Sequence, residues 1–450
     1  VIRRGSEAIA TALAAEAAAG RRLIVTDAVT DDDLRAIGTA IAGDRLVTGG
    51  SGIAIGLPDN FRRKGLIGTE AASLPAIGGP GVCAGMGTAN TMHIASEALG
   101  MALPGSTPVL ANSPRMFEYA EAAGRRIVDL VWEDVRPRSI LTPQAFENAV
   151  MVGLALSASI NLVRHLQAIA IEAQCPVDIY ELYDRLGPKV PLLCAVRPNG
   201  ATRIEELEMA GGTRAVLKRL ESLAHRESLT VDGRTWGDVL AAPGDVGPVL
   251  RTLEDPISRK PSVIVMRGNL APEGSILKLG DASAKESVFT GRALVFWSQE
   301  DALHALRDGR IKVGTVAVLC GMGCRGGPGM ALASGFVAAV DGAGFSTGVA
   351  VLTDGQLSGL NRGIAIGQVS PEAAMGGVIG LVEDGDPITI DMELHTVTLD
   401  VAQAELDTRN ARRPLRTPAR DYGWLSIYEQ VVEPMSKGAV LVRPPQGPLR

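Results

Sequence analysis

Cysteine is scarce. Five in 450 residues are too few, and odd in number, for a disulfide scaffold, so free thiols in a reducing compartment are expected. Aromatic residues make up only 4%, and no stretch interleaves them with basic residues as a nucleic-acid-binding surface requires. Neither sign of charge dominates: 44 Lys and Arg stand against 50 Asp and Glu, a formal net charge of −6. Nucleic acid is therefore not an expected partner. No uncharged apolar run reaches the ~18 residues of a membrane span. The first residues lack the charged head, apolar stretch and cleavage site of a secretion signal. These absences lead to the expectation of a soluble cytoplasmic protein with no membrane partner.

Small side chains are over-used. Glycine is 53 of 450 residues, or about 12%, against a usual ~7%. With 46% apolar and only 21% charged residues, the chain has enough to bury several cores, and its length gives a prior of about three domains. Ser6 to Ala19 reads as a helix stopped by Gly20, and Arg22 to Asp27 as a strand. Thr30 reads as the N-cap of a second helix with acidic residues in its first turn. A short strand at Leu46 to Thr48 then runs into Gly49-Gly50-Ser51-Gly52, and together these make an α/β unit. Pro75 to Val82 is a Gly/Pro hinge. Helical patterns follow over 91–103, 143–174 and 203–226, then a Gly/Pro-punctuated stretch over 267–281. From about 285 the texture becomes β-rich, with runs at 293–297, 313–319, 349–352 and 388–391 separated by turns. That spacing predicts a small barrel or sandwich.

Four local patterns bear on chemistry. Thr353-Asp354-Gly355-Gln356-Leu357-Ser358-Gly359 puts a Ser on a strand-end turn, where it reads either as a base or nucleophile or as a capping Ser in an Asp-Gly turn. None of the five His sits in a partner motif, so a Ser/His/Asp triad is not favoured. Cys320-Gly321-Met322-Gly323-Cys324, followed by Arg325-Gly326-Gly327-Pro328-Gly329, lacks the second ligand pair that zinc needs and reads as buried thiols; its glycines could form a backbone anion nest. Cys83 lies at the mouth of a helix, where a thiolate could ligate iron, or where a small Cys simply packs a turn. Arg267 and Glu273 share one Gly/Pro loop, which reads either as a connector or as a site for a polyhydroxy acid with Arg forked onto its carboxylate.

Across about 80–412, ordered blocks resemble the dihydroxy-acid and sugar-acid (phosphogluconate) dehydratase family. They are Gly81 to Met92, Glu97 to Ser106, Ser159-Ile160-Asn161, Arg197 to Gly200, Gly268 to Gly274, Gly326 to Met330, Thr353 to Gly359 and Val369 to Ala374. The resemblance implies a lyase that removes water from a 2,3-dihydroxy acid, an aldonate or a branched acid of amino-acid biosynthesis, to give a 2-keto acid. It also implies a [2Fe–2S] cluster as Lewis acid and Mg²⁺ at the carboxylate. Residue by residue it makes Ser358 the base and Cys83 a cluster ligand and matches Ser159 and Asn161 to a substrate-side motif; the loop reading adds Arg267 and Glu273 as candidate substrate-binding groups. A homodimer is compatible with it. Two departures stand out. No cysteine precedes Cys83, and the position of a family metal-binding Glu is held by Leu332, which cannot coordinate a hard cation. Impaired activity is therefore expected, with a non-catalytic fusion relic or sugar-acid binding module, or a four-carbon acid sugar kinase fragment, as the alternatives.

Residues 1 to about 82 are instead similar to part of a four-carbon acid sugar kinase, through Asp27 to Arg35 and Thr48 to Arg62. The implied fold class is α/β, in four parts: a kinase-like fragment at 1–79, a truncated dehydratase α/β domain at 80–284, a swivelling β-barrel-like domain at 285–412 and a tail at 413–450. Tyr422 to Val432 reads as a closing helix.

Overall fold

The computed structural model describes residues 4–20, 26, 28, 30–42, 60, 85–111, 113–244, 246–279, 287–328, 330, 333–357, 363–413 and 422–441. Apart from Thr26, the strands expected at 22–27 and 46–48 lie outside these, as do the hinge at 75–82, Cys83, Leu332 and Ser358. The chain divides into two units, Val1–Pro75 and Ala76–Arg450.

In the first unit, α1 (Ser6–Ala18) and α2 (Asp31–Ala40) pack together and bury Ile9 and Ile37. The Thr30 cap is present as a full capping box: Thr30 Oγ1 accepts from Asp33 N, and Asp33 Oδ2 accepts from Thr30 N.

The second unit joins a helical layer to an eight-stranded sheet. Its helices include α3 (Thr88–Ala98), α4 (Pro114–Trp132), α5 (Pro143–Ala155), α6 (Asn161–Ala173), α7 (Ile179–Leu186) and α8 (Gly212–Arg219). Helix α5 is central and buried from Ala145 to Ala155 except at Glu147, which is only partly exposed. The expected helix over 143–174 is two helices. Between them Leu156–Ile160 leaves the helical path, with Ser157 at φ +49°, and this break presents Ser159 and Asn161. The pattern over 203–226 is likewise broken at Gly211 and Gly212, both at positive φ. A side chain at Gly212 would strike the Thr107 carbonyl, which accepts from Thr213 N at 2.9 Å.

The strands are β1 (Val263–Met266), β2 (Gly274–Lys278), β3 (Val288–Phe296), β4 (Thr315–Leu319), β5 (Val349–Thr353), β6 (Ile364–Ser370), β7 (Pro387–Asp391) and β8 (Thr396–Leu399). Their order is β1-β2-β6-β5-β4-β3-β7-β8. The β3-β4-β5-β6 pairings are parallel and the outer ones antiparallel. Strands β5 and β6 are buried at every residue, as central parallel strands covered on both faces are, while β7 and β8 alternate. The two ends of the sheet meet: Arg267 N donates to His395 O (2.9 Å) and Val397 N to Arg267 O (2.6 Å). The sheet is thus nearly closed, as the barrel expectation required, but it begins at Val263 and takes β1 and β2 from the segment ahead of 285. Gly268, at φ +138°, follows the closing residue because any side chain there would collide with Val397 O. Inward residues such as Met266, Val318, Leu352 and Ile390 form one core; outward ones such as Val265, Leu319 and Val351 join the core of the helical layer. Helices α9 (Gln299–Arg307), α10 (Ser334–Gly342), α11 (Gln403–Arg412) and α12 (Trp424–Val431) flank the sheet. The last of these is the expected closing helix.

Candidate functional site

The break after α5, the start of α3 and the end of β6 converge. Thr88 Oγ1 lies 3.2 Å from Ser159 Oγ and accepts from Asn161 Nδ2 at 2.8 Å. Ser159 N donates to Thr91 Oγ1 (3.0 Å) and Asn161 N to Ser159 Oγ (3.3 Å). From β6, Gln368 Nε2 reaches Ile160 O at 3.4 Å and Asn161 Oδ1 at 3.5 Å. Gln368 N donates to Gly355 O (2.8 Å), which ties the Asp-Gly turn to the same place. Asn199 Nδ2 holds Ser157 O (3.0 Å) and Met86 N holds to Arg197 O (2.7 Å). Four segments far apart in the chain are thereby knotted around Ser159 and Asn161. Gln368 is fully buried at φ +59°, an unfavourable left-handed conformation for a non-glycine residue; strain of this kind gathers at functional sites.

Two of the expected site residues, Cys83 and Ser358, lie outside the described residues. Their described flanks, Gly85 to Thr88 and Gly355 to Leu357, both join this knot. Ser159 and Asn161 are at its centre. Arg267 and Glu273 are brought together elsewhere, on the wall of a cavity of about 380 Å³ shared with Tyr180 and Lys437. There Arg267 Nη1 pairs with Asp184 (2.7 Å), and Glu273 Oε2 accepts from Ser370 Oγ and Ser436 Oγ, both at 2.8 Å. The two groups both reach β6, where Gln368 and Ser370 are two residues, or about 7 Å, apart along the strand.

The glycine loop after β4 is an anion nest whose anions are the protein's own. Asp354 accepts from Gly321 N (3.0 Å), Met322 N (2.8 Å) and Ala373 N (2.9 Å). Glu372 accepts from Arg325 N (3.0 Å) and Gly326 N (2.7 Å). Burial raises the pKa of both carboxyls above the ordinary range, opposed by these backbone bonds. Gly323 has no side chain where the Glu372 carboxylate sits. The loop's thiols are buried and bonded to carbonyls, Cys320 Sγ to Ile379 O (3.3 Å) and Cys324 Sγ to Glu433 O (3.4 Å). Burial pushes Cys320 well above its usual value and Cys324 up to about 12.

These donors do not suit an iron–sulfur cluster or Mg²⁺. Among the described residues no three His, Cys, Asp or Glu side chains converge as metal ligands would. The carboxylates nearest the turn are spent on backbone amides, and the described cysteines are free, three of them buried. No step is derived through either group. Sequence reasoning passed over Thr88, Arg164 and Gln368; Thr88 stands inside a recognised block, while Arg164 and Gln368 carry no local signal.

A helical layer on a nearly closed barrel-like sheet, joined through buried Ser, Asn and Gln side chains, defines a two-part α/β protein. Residues 60–239 match the dihydroxy-acid/6-phosphogluconate dehydratase N-terminal family and residues 248–439 its C-terminal counterpart. The dihydroxy-acid dehydratase of Syntrophobacter fumaroxidans is 43% identical over 366 residues, 81% of this chain and 66% of that protein. That of Ignicoccus hospitalis is 43% identical over 376 residues, 83% of this chain and 67% of that protein. That of Aquifex aeolicus is 37% identical over 375 residues, with the same shares. The chain belongs to the dihydroxy-acid/6-phosphogluconate dehydratase family. It spans about two thirds of the length of the curated relatives it matches. Residues 1–57 match a sugar-binding N-terminal domain family, in keeping with the sugar-binding fragment expected there. The dehydratase match reaches back to residue 60, ahead of the 80 at which the recognised blocks begin.

Proposed function

We propose that this chain binds a small 2,3-dihydroxy acid at the Ser159–Asn161–Gln368 knot and that its hydro-lyase chemistry, conversion of that acid to a 2-keto acid, is impaired. The knot carries the reading, because it draws together the flanks of Cys83 and Ser358. In this reading Ser358 takes the C2 proton and Ser159 and Asn161 orient the substrate, while Cys83, the cluster ligand that the family resemblance implies, cannot hold a cluster alone. Arg267 and Glu273 belong to a neighbouring cavity and act on substrate only through β6. Leu332 in place of a carboxylate supports impairment. Residues 1–57 are read as a sugar-binding fragment of the four-carbon acid sugar kinase kind. No described helix is long and apolar enough to cross a membrane.

The test supplies iron, sulfide and Mg²⁺ anaerobically to the full chain, then follows thermal stabilisation and keto-acid formation with gluconate and with 2,3-dihydroxy-3-methylbutanoate. Stabilisation with little or no keto acid is expected. Sustained turnover would overturn the impairment, and neither stabilisation nor turnover would overturn the site.

A further inference from the structure

Arg164 lies on α6 one turn beyond Asn161, and its Nη2 donates to Gln356 Oε1 at 3.1 Å. Its Nε is buried without a hydrogen-bond partner. The titratable groups that act on it come from three other elements: Tyr180 on α7, Cys324 after β4 and Tyr428 on α12. These are two phenols and a thiol, side-chain types that are uncharged at neutral pH, and burial pushes both Tyr180 and Cys324 further from ionisation. The guanidinium thus has no carboxylate partner among the described residues, an unfavourable state for a desolvated cation. Gln368 Oε1 and the Tyr180 hydroxyl are also buried without partners, on the neighbouring β6 and α7. The unmatched guanidinium and phenol offer donors and the unmatched amide oxygen an acceptor, the complement of a hydroxy acid: the carboxylate takes donors and a hydroxyl gives to the amide oxygen.

We propose that Arg164 is an anion-binding residue that takes the carboxylate of a small hydroxy acid, with Gln368 accepting from one of that acid's hydroxyls. The dihydroxy-acid part rests on the function proposed above; the anion site does not. The full chain, its Arg164→Met variant and its Arg164→Lys variant are titrated with D-glycerate, acetate and glycerol, following heat of binding and melting temperature. Wild type is expected to bind glycerate more tightly than acetate and to ignore glycerol at the same concentrations. Arg164→Met should weaken glycerate at least tenfold and Arg164→Lys less, since lysine keeps the charge but not the fork. Ligand-free Arg164→Met should melt at or above wild type, because an apolar chain replaces an unpaired charge. Unchanged glycerate affinity in Arg164→Met, or a wild type that binds neither acid, would overturn the proposal. Acetate binding that is lost in Arg164→Met without any preference for glycerate would sustain the anion site and sink the dihydroxy-acid reading.

Discussion

Replacing Glu97 by glutamine separates two opposed forces on one buried carboxyl. Glu97 is fully buried on α3. Its Oε1 accepts from Gly105 N at 2.7 Å, and its Oε2 accepts from Thr107 N and Thr107 Oγ1, both at 2.8 Å. Three donors favour the ionised form, yet desolvation outweighs them and pushes the pKa up to about 7. A carboxyl raised in the folded state stabilises fully below its unfolded value of 4.5, and that contribution is lost as pH rises through about 7. At ~1.4 kcal/mol for each pK unit, roughly 2 to 3 kcal/mol should disappear between about pH 5 and pH 8. Glutamine does not titrate in this window, and its amide NH₂ confronts at least one of the same donors, at a cost of about 1 to 3 kcal/mol. Denaturant midpoints of wild type and Glu97→Gln, taken at intervals from pH 5 to 8, should therefore converge as pH rises. Parallel pH profiles, or a gap that widens with pH, would show that the donors win and the carboxylate is ionised throughout.

Two further outcomes follow from buried groups on the sheet side. Arg409 on α11 grips Asp386 through Nη1 (2.5 Å) and Nη2 (3.1 Å), with both side chains nearly buried. Asp386→Asn should cost about 2 to 4 kcal/mol in denaturant stability, and a loss under ~1 kcal/mol would contradict that packing. Among the described thiols, partly exposed Cys175 should react with an aromatic disulfide first, whereas buried Cys194, Cys320 and Cys324 should react only on unfolding. Rapid native labelling of all of them would contradict the burial.

Much of the sheet was legible because β4 and β5 are nearly continuous apolar runs between turns, β3 ends in one at 293–296, and β7 alternates apolar with polar residues. Strand β6 was not, since Gly367 and Gln368 interrupt its apolar run, and Gln368 serves the site rather than the core. Strands β1 and β2 were hidden by glycines and prolines that look like a connector. Gly268 closes the sheet, and Gly274, at φ +109°, lets β2 lie against the Tyr180 ring. The helix break at Leu156–Ile160 also left no mark, because residues 143–174 keep a helical apolar pattern on both sides of it. At the site, Ser159 and Asn161 could be found from a local motif. Arg164 and Gln356 are 192 positions apart, and Gln368 and Asn161 are 207 apart, so only folding reveals those pairs.

The central claim of the proposed function is that Cys83 and Ser358 serve one shared pocket. It is tested most directly by a Ser358→Cys variant of the full chain treated with a short bis-maleimide, with peptide mapping of the products. A cross-link between positions 83 and 358, suppressed by D-glycerate, is the expected result. Labelling of both thiols without any cross-link between them would contradict the shared pocket.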